Sequence, residues 1–284
     1  MGRYRLTIAY DGTDFCGWQR QAPIAERPVR EAKVIERMEG ESGARLVRLR
    51  TVQEVVERAA ERVLREPVVV QGASRTDAGV HARGQAAAVT TGAAWVEARG
   101  CVAFTRALNA ELPGDVVVRG AEAVGEAFDP VADAVEKTYT YTLHVSRERP
   151  LFDRRYVHHV WVELDARAMA RAAERLVGEH DFAAFAAAGH GRLTTVRKVL
   201  ACVVKDEEAS GPGSVETARR VVIEVTGTGF LYNMVRIMAG TLVEVGRGRM
   251  TAEDVSSAIA SRERRRAGPT LPPTGLCLER VVYR

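Results

Sequence analysis

Four cysteines in 284 residues, Cys16, Cys101, Cys202 and Cys277, stand far apart, with neither a C-x-x-C pair nor a histidine at metal-ligand spacing. That argues against a disulfide framework, offers no metal site and points to reduced thiols in a cytosolic protein. Lysine is almost missing. Lys33, Lys137, Lys198 and Lys205 are the only lysines among 41 basic residues, and the rest are arginine. Codon bias explains such a skew as well as a binding preference does, although arginine suits phosphate forks and base stacking better than lysine. No uninterrupted apolar run approaches the roughly 18 residues of a membrane helix, and residues 4–10 are strand-like, with no signal-peptide pattern before them. The expectation is a cytoplasmic protein without a membrane partner.

What is present belongs to a soluble globular chain, with 46% hydrophobic and 27% charged residues. Its length suits one large domain or two smaller ones with separate cores. A net charge of +4 permits a polyanionic partner without demanding one. Apolar alternation or short β-branched runs predict strands at residues 4–10, 68–70, 85–90, 115–119, 139–145, 157–162, 196–204, 220–225 and 276–283. Helical spacing appears at 51–65, where Thr51 and Glu54 suggest a capping box, and at 95–108, 165–176, 234–245 and 251–261. Residues 178–191 read as a loop, and 205–218, with Gly211-Pro212-Gly213, as a mobile hairpin connection. Residues 22–49 are charged, carry Pro23 and Pro28 and lack a long apolar face, so a surface excursion with a partial helix at 30–38 is expected. Strands outnumber crossover helices and come in hairpin-like pairs, which favours an α+β fold with antiparallel sheet. Arg147-Glu148-Arg149-Pro150 suggests a boundary near residue 150, dividing the chain into 1–150 and 151–284.

Between two predicted strands lies Gly72-Ala73-Ser74-Arg75-Thr76-Asp77-Ala78-Gly79-Val80-His81. By itself it reads as a turn in which Asp77 caps a local amide and Arg75 neutralises it. Its last seven residues, however, resemble the signature of the tRNA pseudouridine synthase A family. Other segments in the same order also resemble that family: Tyr10-Asp11-Gly12-Thr13-Asp14-Phe15 with Gly17-Trp18-Gln19, and Arg50-Thr51-Val52-Gln53-Glu54. Lys137-Thr138-Tyr139-Thr140-Tyr141, Gly229-Phe230-Leu231-Tyr232-Asn233-Met234-Val235-Arg236 and Gly275-Leu276-Cys277-Leu278 continue the likeness over nearly the whole chain.

The resemblance implies two similar α/β halves whose sheets join into one central sheet with a cleft between them. It implies a homodimer acting on uridines 38, 39 and 40 in the anticodon stem-loop of tRNA. Turning uridine into pseudouridine breaks the bond from ribose C1′ to N1, turns the uracil and rejoins it through C5. No atoms or electrons are gained or lost, so no cofactor is expected. Asp77 is implied as the catalytic carboxylate, acting on the sugar, on the base or on a ribose proton. Arg236 is its implied partner, since a carboxylate in a closed pocket needs a cation. Tyr139 is implied as the ring that stacks on uracil and stands at or near the base for the C5 proton; Tyr141, on the same strand face, reads as packing. The target must be flipped out of its stack, and Arg75 resembles the arginine that fills the vacated place. Thr76 and His81 are further candidates for RNA contact, with His81 read first as a brace of the loop.

The chain departs from the family pattern in two places. The 22–49 stretch is an insertion of roughly 25 residues where relatives have a short loop. Phe128-Asp129-Pro130-Val131 lacks the arginine found there in many relatives; the Arg262-to-Arg266 cluster could supply phosphate contacts instead, although a short charge run of this kind reads first as a solvated basic helix end. Two other classes would make different demands on the sequence. A passive RNA-binding protein on related sheets would want RNP-type surface aromatics, which are not evident. A glycoside hydrolase usually needs two carboxylates, whereas the signature offers only Asp77.

Overall fold

The computed structural model describes residues 1–26, 28–40, 43–187, 193–208 and 218–284. It is an α+β fold of two compact units, Met1–Ala134 with Tyr283–Arg284, and Val135–Val282. The strand that begins at this division pairs antiparallel within the second unit over residues 137–145.

In the first unit, β1 (Gly2–Tyr10) is followed by β2 (Ile24–Ala25), β3 (Val34–Glu39) and β4 (Arg45–Leu49). Then come α1 (Val52–Leu64), β5 (Gln71–Gly72), β6 (His81–Thr91), α2 (Ala94–Glu111) and β7 (Val116–Val124). The main sheet runs β7-β1-β6, antiparallel throughout, with β5 on β6. Alternation along β1 puts Tyr4, Leu6 and Ile8 into the core, where Tyr4 meets Phe104 of α2 edge to face at 5.6 Å between centroids. On α1, Val52, Val55, Val56, Ala59, Ala60 and Leu64 form the buried stripe.

Three expectations in this unit are corrected. Residues 68–70 alternate in burial, with Val69 exposed, and the paired strand is instead Gln71–Gly72. The helix at 30–38 is reduced to one 3₁₀ turn at Glu31–Lys33, and the insertion folds as a three-stranded antiparallel sheet in the order β2-β4-β3. Val47 and Leu49 of β4 are buried, so burying the apolar side of a hairpin decides the local structure that the charged sequence left open. Thr51 does cap α1, accepting from the Glu54 amide, but the Glu54 carboxylate turns to Arg58 and Arg48 rather than completing the box.

The second unit contains β8 (Ala134–Val145), β9 (His158–Val160), α3 (Ala166–Ala173), β10 (Gly178–Asp181), β11 (Val196–Glu208) and β12 (Arg219–Gly227). It closes with α4 (Met234–Gly246), α5 (Ala252–Ser261) and β13 (Leu276–Tyr283). The strand order is β10-β11-β12-β8-β13, with β9 parallel to β8. Part of the predicted loop at 178–191 is β10, recruited by pairing with β11; residues 188–191 lie outside the described residues, as does the hairpin connection at 209–217. Helix α4 is buried on nearly every face and runs so close to the 268–271 segment that a β-carbon on Gly240 would lie 1.9 Å from the Pro269 carbonyl oxygen. Among the described residues no helix is long and apolar enough to cross a membrane.

Candidate active site

The Asp77 loop is held by its neighbours in the first unit, through backbone bonds at both ends. At its start the Ala73 amide donates to Ala86 O at 2.8 Å. Gln85, fully buried on β6, uses its amide as a substitute peptide, accepting from Ser74 N at 3.2 Å and donating to Ser74 O at 2.6 Å. In the middle, the Trp18 amide donates to Thr76 O at 3.0 Å, and the buried Thr76 hydroxyl lies 2.7 Å from the Tyr10 hydroxyl. At its end Val80 N donates to Asp77 O, and Gly79, with a φ of +82°, donates its amide to Phe15 O at 3.3 Å. His81 is buried and its Nδ1 accepts from the Gly12 amide at 3.1 Å. The same nitrogen is 3.2 Å from Asp11 Oδ1, an oxygen that also accepts from the Thr13 amide and hydroxyl.

These bonds divide the predicted RNA-facing set. Arg75 is exposed and Asp77 is half-buried, whereas Thr76 and His81 are buried, with the Thr76 hydroxyl on Tyr10 and the His81 Nδ1 on the Gly12 amide. The segment 10–18 that receives the loop is itself pinned by Arg50. Its carbonyl accepts from Cys16 N, its guanidinium forks onto Asp115 at 2.7 and 2.8 Å, and it covers the Phe15 ring at 4.0 Å. Arg50 stands inside a motif whose local sequence carries no sign of this part. Asp115, its partner, carried no local signal.

In the second unit Tyr139 lies on β8 opposite Val225 of β12, buried, with Phe230 edge to face at 5.3 Å and 87°. Tyr141, two residues on, is fully buried; its hydroxyl donates to Pro272 O at 2.7 Å, and burial pushes that hydroxyl well above the ordinary tyrosine value against the opposing charge of Arg236. Arg236 sits in the first turn of α4. Its Nε donates to Leu271 O at 2.7 Å and its Nη1 to Asn233 Oδ1 at 2.5 Å, and Asn233 is the helix cap, in the left-handed region at φ +60°. Phe230 and Asn233 thus orient the two candidate side chains. Both belong to a motif the sequence displayed, without the three-dimensional reason for them. Among the described residues no three His, Cys, Asp or Glu side chains gather as metal ligands would.

Comparison with known proteins covers this whole arrangement. The family model for tRNA pseudouridine synthases matches residues 6–131 and 172–284. A tRNA pseudouridine synthase A from Geobacter sulfurreducens is 41% identical over 283 residues, with all of both chains covered. One from Moorella thermoacetica is 40% identical over 279 residues, covering 98% of each. A protein called tRNA pseudouridine synthase A 2, from Clostridium perfringens, is 37% identical over 283 residues, again with both chains fully covered. A likeness at that level from end to end means that this chain belongs to the tRNA pseudouridine synthase A family.

Proposed function

We propose that this protein isomerises uridine to pseudouridine at positions 38, 39 and 40 in the anticodon stem-loop of tRNA. The observation that carries the reading is its end-to-end likeness to proteins named tRNA pseudouridine synthase A. In this reading Asp77 is the reacting carboxylate. It attacks ribose C1′ or uracil C6, or removes a ribose proton, so that the bond from C1′ to N1 breaks. After rotation the bond from C5 to C1′ forms, N1 takes up a proton and C5 gives one up. A loop fixed by backbone bonds suits this work, because a carboxylate that need not reorganise loses less of the available rate to misplacement. Arg236 supplies the compensating cation on a guanidinium oriented by Leu271 O and Asn233. Tyr139 stacks on the detached base and stands at or near the acceptor of the C5 proton, while Arg75 fills the place of the flipped nucleotide. The two halves would form the cleft that brings these groups to one uridine, in a cytoplasmic homodimer.

The test is conversion of transcribed tRNA, mapped by carbodiimide-dependent reverse-transcription stops, for the parent and for Asp77→Asn. The amide is nearly isosteric but cannot serve as nucleophile or base. The variant should fold and bind tRNA yet make no pseudouridine. Asp77→Asn turnover within tenfold of the parent would remove Asp77 from the mechanism. Release of free uracil, or no reaction by the parent, would overturn the assignment.

A further inference from the structure

Away from the groups discussed so far, the second unit contains a groove of about 740 Å³ between the end of α4, the start of α5 and residues 265–269. Arg247, Arg249, Arg265 and Arg266 line it against two carboxylates, Glu244 and Asp254. The carboxylates nearby are already shared. Glu244 takes Arg247 at 2.9 Å and Arg249 at 3.3 Å, while Glu263 takes Arg265 at 2.9 Å and Arg266 at 3.4 Å. Asp254 is drawn into the cap of α5, accepting from the Thr251 amide and hydroxyl. Four guanidinium groups are thus served by single contacts on carboxylates that each hold two of them. Arg247 Nε is buried with no acceptor. The side chains of Arg249 and Arg265 are 67% and 82% exposed.

The other two arginines of the run at 262–266 have different work. Arg262 pairs with Asp181 at 3.0 Å. Arg264 donates to Ala267 O, Gly268 O and Thr270 Oγ1, which shapes the 265–269 wall. The groove therefore has a built wall and an excess of planar donors, in a depression rather than on a flat surface.

We propose that this groove binds the sugar–phosphate backbone of the RNA substrate, with Arg247, Arg249, Arg265 and Arg266 forking onto phosphate oxygens. The proposal rests on the tRNA reading above. Guanidinium forks match phosphate geometry. The groove offers no aromatic ring for base stacking, its lining beyond the polar groups being Met250, Ala267, Gly268 and Pro269, so the contact is to backbone and independent of sequence.

The experiment is tRNA affinity as a function of salt for the parent and for the double variant Arg249→Gln/Arg265→Gln, with a double variant on α2, Arg99→Gln/Arg106→Gln, as a control for net charge. Both pairs are exposed, and thermal unfolding checks that each variant is folded. Each lost phosphate contact lowers the slope of log affinity against log salt by about 0.7 to 0.9, so two contacts remove roughly 1.4 to 1.8 from the slope and roughly thirtyfold in affinity at 0.1 M salt. The control should keep the parent slope. An unchanged slope in the groove variant, or an equal loss in the control, would overturn the groove. Conversion of tRNA by the parent is read separately, so a failed groove and a failed assignment of activity give different results.

Discussion

At Gly12 there is no room for a β-carbon, which would lie 2.0 Å from the Val80 carbonyl oxygen at the end of the Asp77 loop. The Gly12 amide also supplies the bond to His81 Nδ1. Gly17 and Gly72 are constrained in the same way. A β-carbon on Gly17, whose φ is +94°, would come to 2.8 Å from Thr76 O, and one on Gly72 to 2.3 Å from the buried Trp18 ring. Small residues here let two backbone segments touch, and the contact is what holds the loop. Gly12→Ala must push backbone against backbone, since no flexible side-chain end can yield. The expected loss is about 1 to 3 kcal/mol of unfolding free energy, read from urea midpoints. Pseudouridine formation should fall further than the folded fraction does, because the strain enters at the loop. Activity that merely followed the folded fraction would separate Gly12 from the placement of Asp77.

At the scale of elements, the insertion that forms β2-β4-β3 pairs two of its arginines with its own carboxylates and exchanges further pairs with α1. Arg37 pairs with Glu26 and Glu31, Arg48 with Glu36 and Glu54, and Arg58 of α1 reaches Glu36. Its ties to the rest of the unit include the Arg50 amide donating to Lys33 O and the Lys33 ammonium at 3.5 Å from Phe15 O. This pairing reduces what those cations can offer to phosphate. Replacing residues 23–48 by a short Gly/Ser link should therefore change the salt slope of tRNA binding by less than one phosphate contact, about 0.7 to 0.9. Single-turnover chemistry on bound tRNA should be unchanged, since Arg50 and Asp115 remain. A larger drop in slope would make the inserted sheet an RNA-binding element.

At the scale of the whole molecule, mild acid should weaken the second unit through two histidines, whereas one buried carboxyl of the first unit works in the opposite sense. His144 and His158 in the second unit are both held below the ordinary histidine value of 6.5, first by burial; His159 and Arg220 add to this at His144 against Asp153, and Arg247 and His159 at His158. The unfolded chain takes up those protons first as pH falls below 6.5, so the second unit loses stability on acidification. Glu57 in the first unit is raised above its ordinary 4.5 by burial, despite the Val70 amide, Arg20 and Gln53. Its folded form takes up a proton first, so stability is gained as pH falls through the raised value toward 4.5. Hydrogen exchange between pH 7 and 5, corrected for intrinsic rates, should show protection falling at Val145 and Val160 relative to α1. His144→Gln/His158→Gln should remove that trend, and a trend that survived the double variant would discard the histidines as its source.

Motif and local pattern carried the family, the candidate Asp77, Tyr139 and Arg236, the α+β class and the main helices, because these depend on residue identity and on periods of two and 3.6 within one segment. Tyr139, Tyr141 and Leu143 share a buried face of β8 as alternation required, and β13 spans the predicted 276–283. What local pattern missed depends on partners distant in sequence. The polar Gly178–Asp181 becomes a strand only because β11 lies beside it, and the insertion becomes a sheet because Val47 and Leu49 find a core. The Arg50 fork onto Asp115, 65 residues away, and the gathering of Arg247 and Arg249 with Arg265 and Arg266 around one groove have the same origin. Backbone pairing and charge pairing across such separations are energies of the folded state alone, so only the tertiary structure decides them.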